Sequence, residues 1–270
     1  VRWGVTQLFN LLLGPFESGH PHVGLVVVSV ITGGVMLFLF KLTSNQTAMK
    51  EVKAKISAYF LEMRLYKEDM SVVMASQRRI LRANLDYMKL ALIPAVVMFI
   101  PVVLIMVQLN LRYAQTGFQP GDAAMLKVKL EDGVDPVSGS LKLITDTGLE
   151  KASPAVRIPS LGETDWKIKM TDKGVHDLTL ETSSGKVSLP IYTTDRRVPI
   201  FRIFKKGSIW ETILNPGATR IPDGMRIQSV EVAYPEMSFN WGFIHLSWLW
   251  SFLIISMAFG VVLKFVFGVE

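Results

Sequence analysis

Side chains able to act as acid, base or nucleophile are few and scattered along these 270 residues. Histidine stands at positions 20, 22, 176 and 245, and His176 has no cysteine or histidine partner at a metal-binding spacing. Cysteine is absent, which excludes disulfides and thiolate metal ligands. No nucleophile lies at a recognisable spacing from a base. The sequence therefore predicts a protein that makes and breaks no bonds: no enzyme, no cofactor and no metal. The most informative polar residues offer a different chemistry. Lys41, Asn45 and Gln46 follow directly on the apolar run 23–40. Placed there, they can solvate charge at the edge of a bilayer, where a charged side chain at mid-membrane costs ~2.5–3.5 kcal/mol even on insertion scales.

What must position them is a set of membrane spans. Half of the residues are hydrophobic. They concentrate in Val23–Phe40, Leu90–Leu109 and Trp241–Phe267, each near the ~20 residues that cross about 30 Å of hydrocarbon. The first span is interrupted only by Gly24, Ser29, Thr32, Gly33 and Gly34, small or polar residues that admit either a packed neighbour helix or a substrate. No charged region precedes it and no small-residue cleavage site follows it, so it is expected to be a span and not a signal peptide. The second contains Pro94 and Pro101, seven residues apart on nearly one face. The third carries His245, Ser247, Ser251 and Ser256, with Trp241 placed to join an interfacial aromatic belt.

The formal charge of +6 is unevenly distributed. Residues 41–89 hold ten Lys/Arg against five Asp/Glu, whereas 110–240 hold seventeen against sixteen. Excess on one loop is the positive-inside pattern and argues against nucleic-acid binding. It places 41–89 in the cytoplasm, the N-terminus and 110–240 outside, and the C-terminus inside. A bacterial inner membrane is the expected location.

Residues 42–89 read as a helical hairpin. Met49, Val52, Ile56, Tyr59 or Phe60, and Met63 keep helical spacing; so do Val73, Gln77, Ile80 or Leu81, Leu85 and Met88. Asp69 is placed to cap the second arm. The seam is rich in methionine and therefore adaptable. Its residues either bury only each other or also receive a partner. The outer faces carry Lys50, Lys53, Arg64, Arg78, Arg79 and Arg82, solvated or set against anionic lipid headgroups. In residues 1–16, Trp3, Val5, Leu8, Phe9, Leu12 and Leu13 share a face opposite Thr6, Gln7 and Asn10, which predicts an interfacial amphipathic helix or else a frayed tail.

Between the second and third spans, eight short alternating runs are punctuated by Gly, Pro, Asp and Ser: MLKVKLE, SLKLIT, AVRIP, DWKIKMT, HDLTLET, KVSLPIY, IFRIF and RIQSVEVAY. Such spacing predicts a β-sandwich. Trp166 followed by Asp172 to Leu180 (DKGVHDLTL) is immunoglobulin-like, with His176 in the place where sandwich corners usually carry a tyrosine.

The expected fold class is an α-helical membrane protein with three core transmembrane helices and a cytoplasmic helical hairpin, plus an inserted all-β, immunoglobulin-like extracytoplasmic domain. The boundaries are 1–22 (interfacial helix and linker), 23–41 (first span), 42–89 (hairpin), 90–109 (second span), 110–240 (sandwich) and 241–270 (third span and short tail).

This order resembles the Oxa-type insertase superfamily, which includes bacterial YidC, the mitochondrial Oxa proteins, the third subunit of the endoplasmic-reticulum membrane protein complex and short archaeal relatives. The resemblance covers about residues 1–110 and 238–270. It is carried by L-T-x-x-Q at 42–46, by T-A-M-K and K-I within 47–56, and by the third span LSWLWSFLIISMAFGVVLKFVFG. Residues 110–237 lie outside it. It implies a membrane insertase or chaperone with a hydrophilic groove open to the cytoplasm. Groove residues would be Ser29, Thr32, Gly33, Gly34, Lys41, Asn45, Gln46, Ser251, Ser256 and Lys264. Hairpin contacts to the client would be Met49, Val52, Met63, Met74 and Met88. Implied partners are nascent or client membrane proteins and an anionic bilayer, with ribosome or translocon components beside the hairpin and an unknown partner for the sandwich. One feature departs from the family: the arginine of its first core span would fall near Met36, and the nearest cation is Lys41. Lys41, with Lys89 and Lys264, either forms a shallower basic ring or snorkels to headgroups. The other class of function is a non-catalytic scaffold or receptor subunit, with spans that only anchor a partner-binding sandwich.

Overall fold

The structure, a computed structural model, describes residues 7, 9, 11, 13–16, 19–137, 141–207 and 217–268. The chain divides into two compact units: Val1–Gly24 with Val107–Leu249, and Leu25–Met106 with Trp250–Glu270. Four long helices are described: α1 (Pro21–Thr43), α2 (Gln46–Leu65), α3 (Met70–Tyr113) and α4 (Trp248–Phe267). Three of them, α1, α3 and α4, are long and apolar enough to cross a membrane, which marks the chain as an integral membrane protein.

Near the N-terminus, Gln7, Phe9, Leu11 and Leu13 are helical, with Phe9 and Leu13 buried and Gln7 and Leu11 exposed, as the predicted face requires. Trp3, Val5, Thr6, Leu8, Asn10 and Leu12 lie outside the described residues. A single 3-10 turn at Gly14–Phe16 follows.

In the second unit the hairpin matches expectation only in part. The span-to-hairpin join at 41–46 is not continuous. Helix α1 stops at Thr43, and Asn45 Oδ1 accepts the Ala48 N–H at 3.0 Å to start α2 afresh. The Ser-Asn pair offers side-chain acceptors that compete with the helix ladder, so it makes a cap and not a bridge. The uninterrupted piece is the other join: α3 runs 44 residues, through the second hairpin arm and the second span, with Pro94 and Pro101 inside it. Asp69 caps this helix as predicted, with Oδ1 accepting from Ser71 Oγ at 2.7 Å and the Ser71 and Val72 N–H groups at 2.9 and 3.4 Å. These bonds, the Ser71 hydroxyl first, hold its carboxyl below the usual range.

The α2 side of the seam is the predicted one, with Met49 fully buried and Val52, Ile56, Tyr59 and Met63 half-buried. The α3 side is so only in part. Val73 and Ile80 are half-buried as expected, but Ser76 and Ala83 are the buried residues and Tyr87 is half-buried, while Gln77, Leu81, Leu85 and Met88 face outward. Helix α3 carries apolar residues on two opposite faces, and periodicity alone cannot choose between them. The small side chains at 76 and 83 allow α2 close, and polar contacts fix the register. Glu62 accepts from Ser76 Oγ at 3.0 Å and pairs with Arg79 at 3.2 Å, and Lys53 lies over the Tyr87 ring. Lys53 and Arg79 therefore serve the seam edge and not the outer faces.

Among the described residues of the first unit, eleven strands form two antiparallel sheets and a hairpin. The strands are β1 (Ala123–Leu130), β2 (Lys142–Thr145), β3 (Leu149–Lys151), β4 (Val156–Ile158), β5 (Glu163–Met170), β6 (Gly174–Thr182), β7 (Gly185–Thr193), β8 (Ile203–Lys205), β9 (Ile227–Val232), β10 (Ser238–Asn240) and β11 (His245–Ser247). One sheet has the order β3-β5-β1-β9-β8, with β4 also on β5; the other is β2-β6-β7; β10 and β11 pair with each other. All eight predicted runs contribute strands. Alternation decides which side is buried: β1 buries Ala124, Leu126, Val128 and Leu130, each second residue. These join Trp166, Ile168 and Met170 of β5 and Leu178, Leu180, Leu189 and Ile191 of the second sheet in one hydrophobic cluster.

Immunoglobulin order puts its first strand at a sheet edge. Here β1 lies between β5 and β9. The strand order thus does not confirm an immunoglobulin fold, and what the structure gives of the expected corner is the setting of the His176 ring. That ring is buried, and its Nε2 donates to the Asp172 carbonyl four residues upstream at 2.8 Å, the role a corner tyrosine plays elsewhere.

The third span begins later than predicted. Residues 238–247 form the β10–β11 hairpin, and α4 starts only at Trp248. Trp241 and His245 thus belong to the hairpin. Its turn is set by Gly242 at φ +89°, a conformation that favours glycine, and by Asn240 Oδ1 accepting the Gly242 N–H at 3.0 Å.

One buried carboxylate in the β region gives a direct prediction. Asp165 is 9% exposed, and its Oδ1 has no hydrogen-bond partner among the described residues. Burial, aided by Glu163 and opposed by Lys127, pushes its carboxyl above the usual range. A raised carboxyl pKa means that the native state holds its proton more tightly than the unfolded chain. Stability is therefore lost as pH rises from the ordinary aspartate value through the raised one. Asp165→Asn should raise the melting temperature at pH 7, and the gain should vanish below about pH 4. Melting curves of the two proteins across pH 3–8 check it; a gain that persists undiminished at the acid end would contradict the burial argument.

Candidate functional site

In the second unit, α1, α3 and α4 bound a lateral cavity of about 1060 Å³. Its wall from α1 is Thr32, Gly33, Met36, Leu37 and Phe40; that from α3 is Met98 and Val102; α4 supplies the rest, from Trp250 to Lys264. Four of the ten predicted groove residues line it: Thr32, Gly33, Ser256 and Lys264. Only Thr32, Ser256 and Lys264 bring polar side chains to it. The hydrophilic lining implied by the resemblance is thus confined to a few points, and hydrocarbon makes up most of the wall.

The remaining expected groove residues are used elsewhere. Ser29 is fully buried and donates to Leu25 O at 2.7 Å, one turn back on its own helix. Ser251 is buried at the start of α4. Gln46 Nε2 donates to Ser44 Oγ, and Asn45 is the cap of α2. Ser29, Asn45 and Gln46 thus satisfy backbone or local polar groups, so a short polar side chain in an apolar run was an ambiguous sign of a lining. Gly34 meets Leu263 at ordinary contact distance. Gly33 is different. A Cβ built there would lie 2.6 Å from Ser256 O and 3.4 Å from Gly260 N, so α1 and α4 approach backbone to backbone at this residue. Sequence reasoning missed the lining methionines Met36, Met98 and Met257. Their one signal was methionine in all three spans.

The basic ring is only partly assembled. Lys41 Nζ reaches Phe267 O at 3.5 Å, at the end of α4, where the helix dipole and free carbonyls favour a cation. Lys264 lies one turn earlier on the same helix and faces the cavity. Lys89 instead pairs with Asp86 at 3.6 Å on an exposed surface and is not part of this cluster.

Of the predicted hairpin contacts, Met49 is buried in the seam, Val52 and Met63 are half-buried there, and Met74 and Met88 are exposed. The last two belong to the outward stripe Met70, Met74, Leu81, Leu85 and Met88 on α3. Spaced at helical intervals, they make one apolar face along the arm, on the side away from α2.

In the last turn of α3, Arg112 is buried and its Nη1 donates to Gln108 Oε1 at 3.1 Å. That cation is thereby tied into the end of α3. Among the described residues, no three His, Asp or Glu side chains gather in a way that could hold a metal ion. In comparisons with known proteins, no family model, curated protein or solved structure matches the chain.

Proposed function

We propose that this protein is a membrane insertase or chaperone that receives a transmembrane segment of a client in the cavity bounded by α1, α3 and α4. The observation that carries it is that cavity. At about 1060 Å³ it stands at the upper end of the roughly 300–1,000 Å³ of ordinary ligand pockets, and flexible methionines from all three helices line it. A preformed apolar opening among spans has no need of bond chemistry. It offers a client helix a surface to leave sideways into lipid. Lys264 in the wall, and Lys41 at the end of α4, would attract the acidic flank of a client to one end of the opening. The apolar stripe on α3 would hold the client's hydrophobic residues before entry. On this reading the hairpin side is cytoplasmic and the β region extracytoplasmic, following the excess of Lys and Arg on residues 41–89.

The test is reconstitution of the full chain in vesicles with a client panel made by translation in vitro. Single-span clients with short translocated tails should insert better than into empty vesicles; equal insertion across the panel would rule the proposal out. Lys41→Leu sharpens it. Insertion of clients with acidic tails should fall several-fold while neutral ones are little changed. An equal effect on both would mean that Lys41 only closes α4 or snorkels.

A further inference from the structure

The β10–β11 hairpin ends in three apolar side chains exposed to differing degrees. Trp241 is 37% exposed, Ile244 57% and Phe243 104%. The turn that displays them is well fixed. Besides the Asn240–Gly242 bond, the Trp241 N–H donates to Ile244 O at 3.0 Å. Phe239, two residues earlier, is fully buried and anchors the strand. A rigid turn that spends its tip on Trp, Phe and Ile is unusual unless something apolar lies against it.

The chain itself says at what depth the tip sits. His22, the second residue of the first span, holds the hairpin. Its Nε2 donates to Asn240 O at 3.0 Å, and its ring meets Trp241 and Phe239 edge-on at 4.9 and 5.4 Å. Tyr113, the last residue of α3, lies 6.1 Å from the Phe239 ring. Ser247, the last residue of β11, is followed directly by Trp248, the first residue of α4. The ends of all three spans on this side thus converge on the hairpin. They place its tip at the level where hydrocarbon meets headgroups. The charge pattern fits lipid and not a charged protein partner, since no Asp, Glu, Lys or Arg occurs from residue 237 to 263. Tryptophan with neighbouring apolar residues is the composition of the membrane interface.

We propose that residues 241–244 form a lipid-inserted wedge, with Trp241, Phe243 and Ile244 seated in the leaflet on the side of the β region. The wedge is a membrane contact made by a β turn, additional to the three spans. It displaces lipid beside the outer ends of α1 and α4. It stands independently of the insertase proposal.

The lack of cysteine makes the test direct, because Phe243→Cys would be the only thiol in the chain. The side chain at 243 is fully exposed, so the substitution does not disturb folding. The full chain, labelled there with a nitrobenzoxadiazole dye, is reconstituted in phosphatidylcholine vesicles at low protein-to-lipid ratio. Val175→Cys, on a 60% exposed residue of β6, is the aqueous control. Emission at 243 should be blue-shifted, quenched several-fold more strongly than the control by lipids carrying a shallow nitroxide, and shielded from aqueous iodide. Emission and quenching equal to those at 175 would overturn the wedge. A blue shift that disappears on dilution with lipid, with no nitroxide quenching, would also overturn it and would assign the tip to a second copy of the chain.

Discussion

Gly148→Ala will lower the melting temperature of the β region, and it will do so through a single imidazole. Gly148 lies in the turn between β2 and β3, and a Cβ built there falls within the His176 ring. The ring has little freedom to leave, because it is buried and its Nε2 is bonded to Asp172 O at 2.8 Å. Alanine at 148 must either push the turn away from β6 or expel the imidazole, which leaves the Asp172 carbonyl without that donor. Overpacking plus one lost buried hydrogen bond should cost about 2–4 kcal/mol. The discriminating measurement is a double-mutant cycle by thermal or denaturant melting. In a His176→Ala background the steric conflict is gone, so Gly148→Ala should cost much less there. Equal cost in both backgrounds would mean that glycine is required at 148 for its backbone and not for the space it leaves to His176.

The corner also shows how far composition and spacing reach. The eight alternating runs of the β region were legible because burial on one face of a strand forces a period of two, and turn residues mark the ends. The strand LEK at 149–151 and the hairpin pair β10–β11 were not. The first is three residues, two of them charged. The second sits inside an apolar stretch in which hydropathy alone cannot separate a strand from the start of a span. His176 was visible as an oddity in a familiar pattern, and in the structure its ring is bonded to the Asp172 carbonyl. Sheet order, by contrast, depends on which strands meet across the core, and local pattern carries no information on that.

The helical unit was less legible for a related reason. Membrane and hairpin helices both carry apolar residues, so α3 presents two apolar faces. The buried one is selected by Ser76 and Ala83, residues too small to register in a hydrophobic count. The chain breaks after Thr43, where the first span meets the hairpin, whereas residues 70–113 run on as one helix from the hairpin into the second span. A Ser-Asn pair was the only local sign of the first. Within the candidate site, Lys41 and Lys264 were placed at the right end of their helices by sequence, because positive charge after an apolar run ends a span. Of the three serines expected in the lining, Ser256 is in the wall and Ser29 and Ser251 are not; a hydroxyl in an apolar helix can instead be satisfied by the carbonyl one turn back, as Ser29 is by Leu25.

Gly33 and Gly34 separate the two meanings of a glycine pair within a span. Helices in lipid gain nothing from burying apolar surface against one another, so close packing carries their association. At Gly33 the backbone of α1 lies against that of α4, and a methyl group would stand 2.6 Å from Ser256 O. No real Cβ is tolerated there, and the obstructing atom is backbone, so it cannot rotate aside. Gly33→Ala must therefore part α1 from α4, at a cost of about 1–3 kcal/mol. At Gly34 the same methyl would lie 3.6 Å from Leu263 Cδ1, an ordinary contact with a flexible side chain, and Gly34→Ala should be nearly neutral. Melting of the purified full chain in detergent compares the two. If the cavity receives clients, the first substitution also changes its width, because Gly33 is in the wall and Gly34 is not. Insertion by Gly33→Ala vesicles should then fall beyond what the loss of folded protein explains, while Gly34→Ala keeps full activity. Equal melting temperatures for the two variants would mean that α1 and α4 do not meet at Gly33 as closely as described, whatever the insertion assay reads.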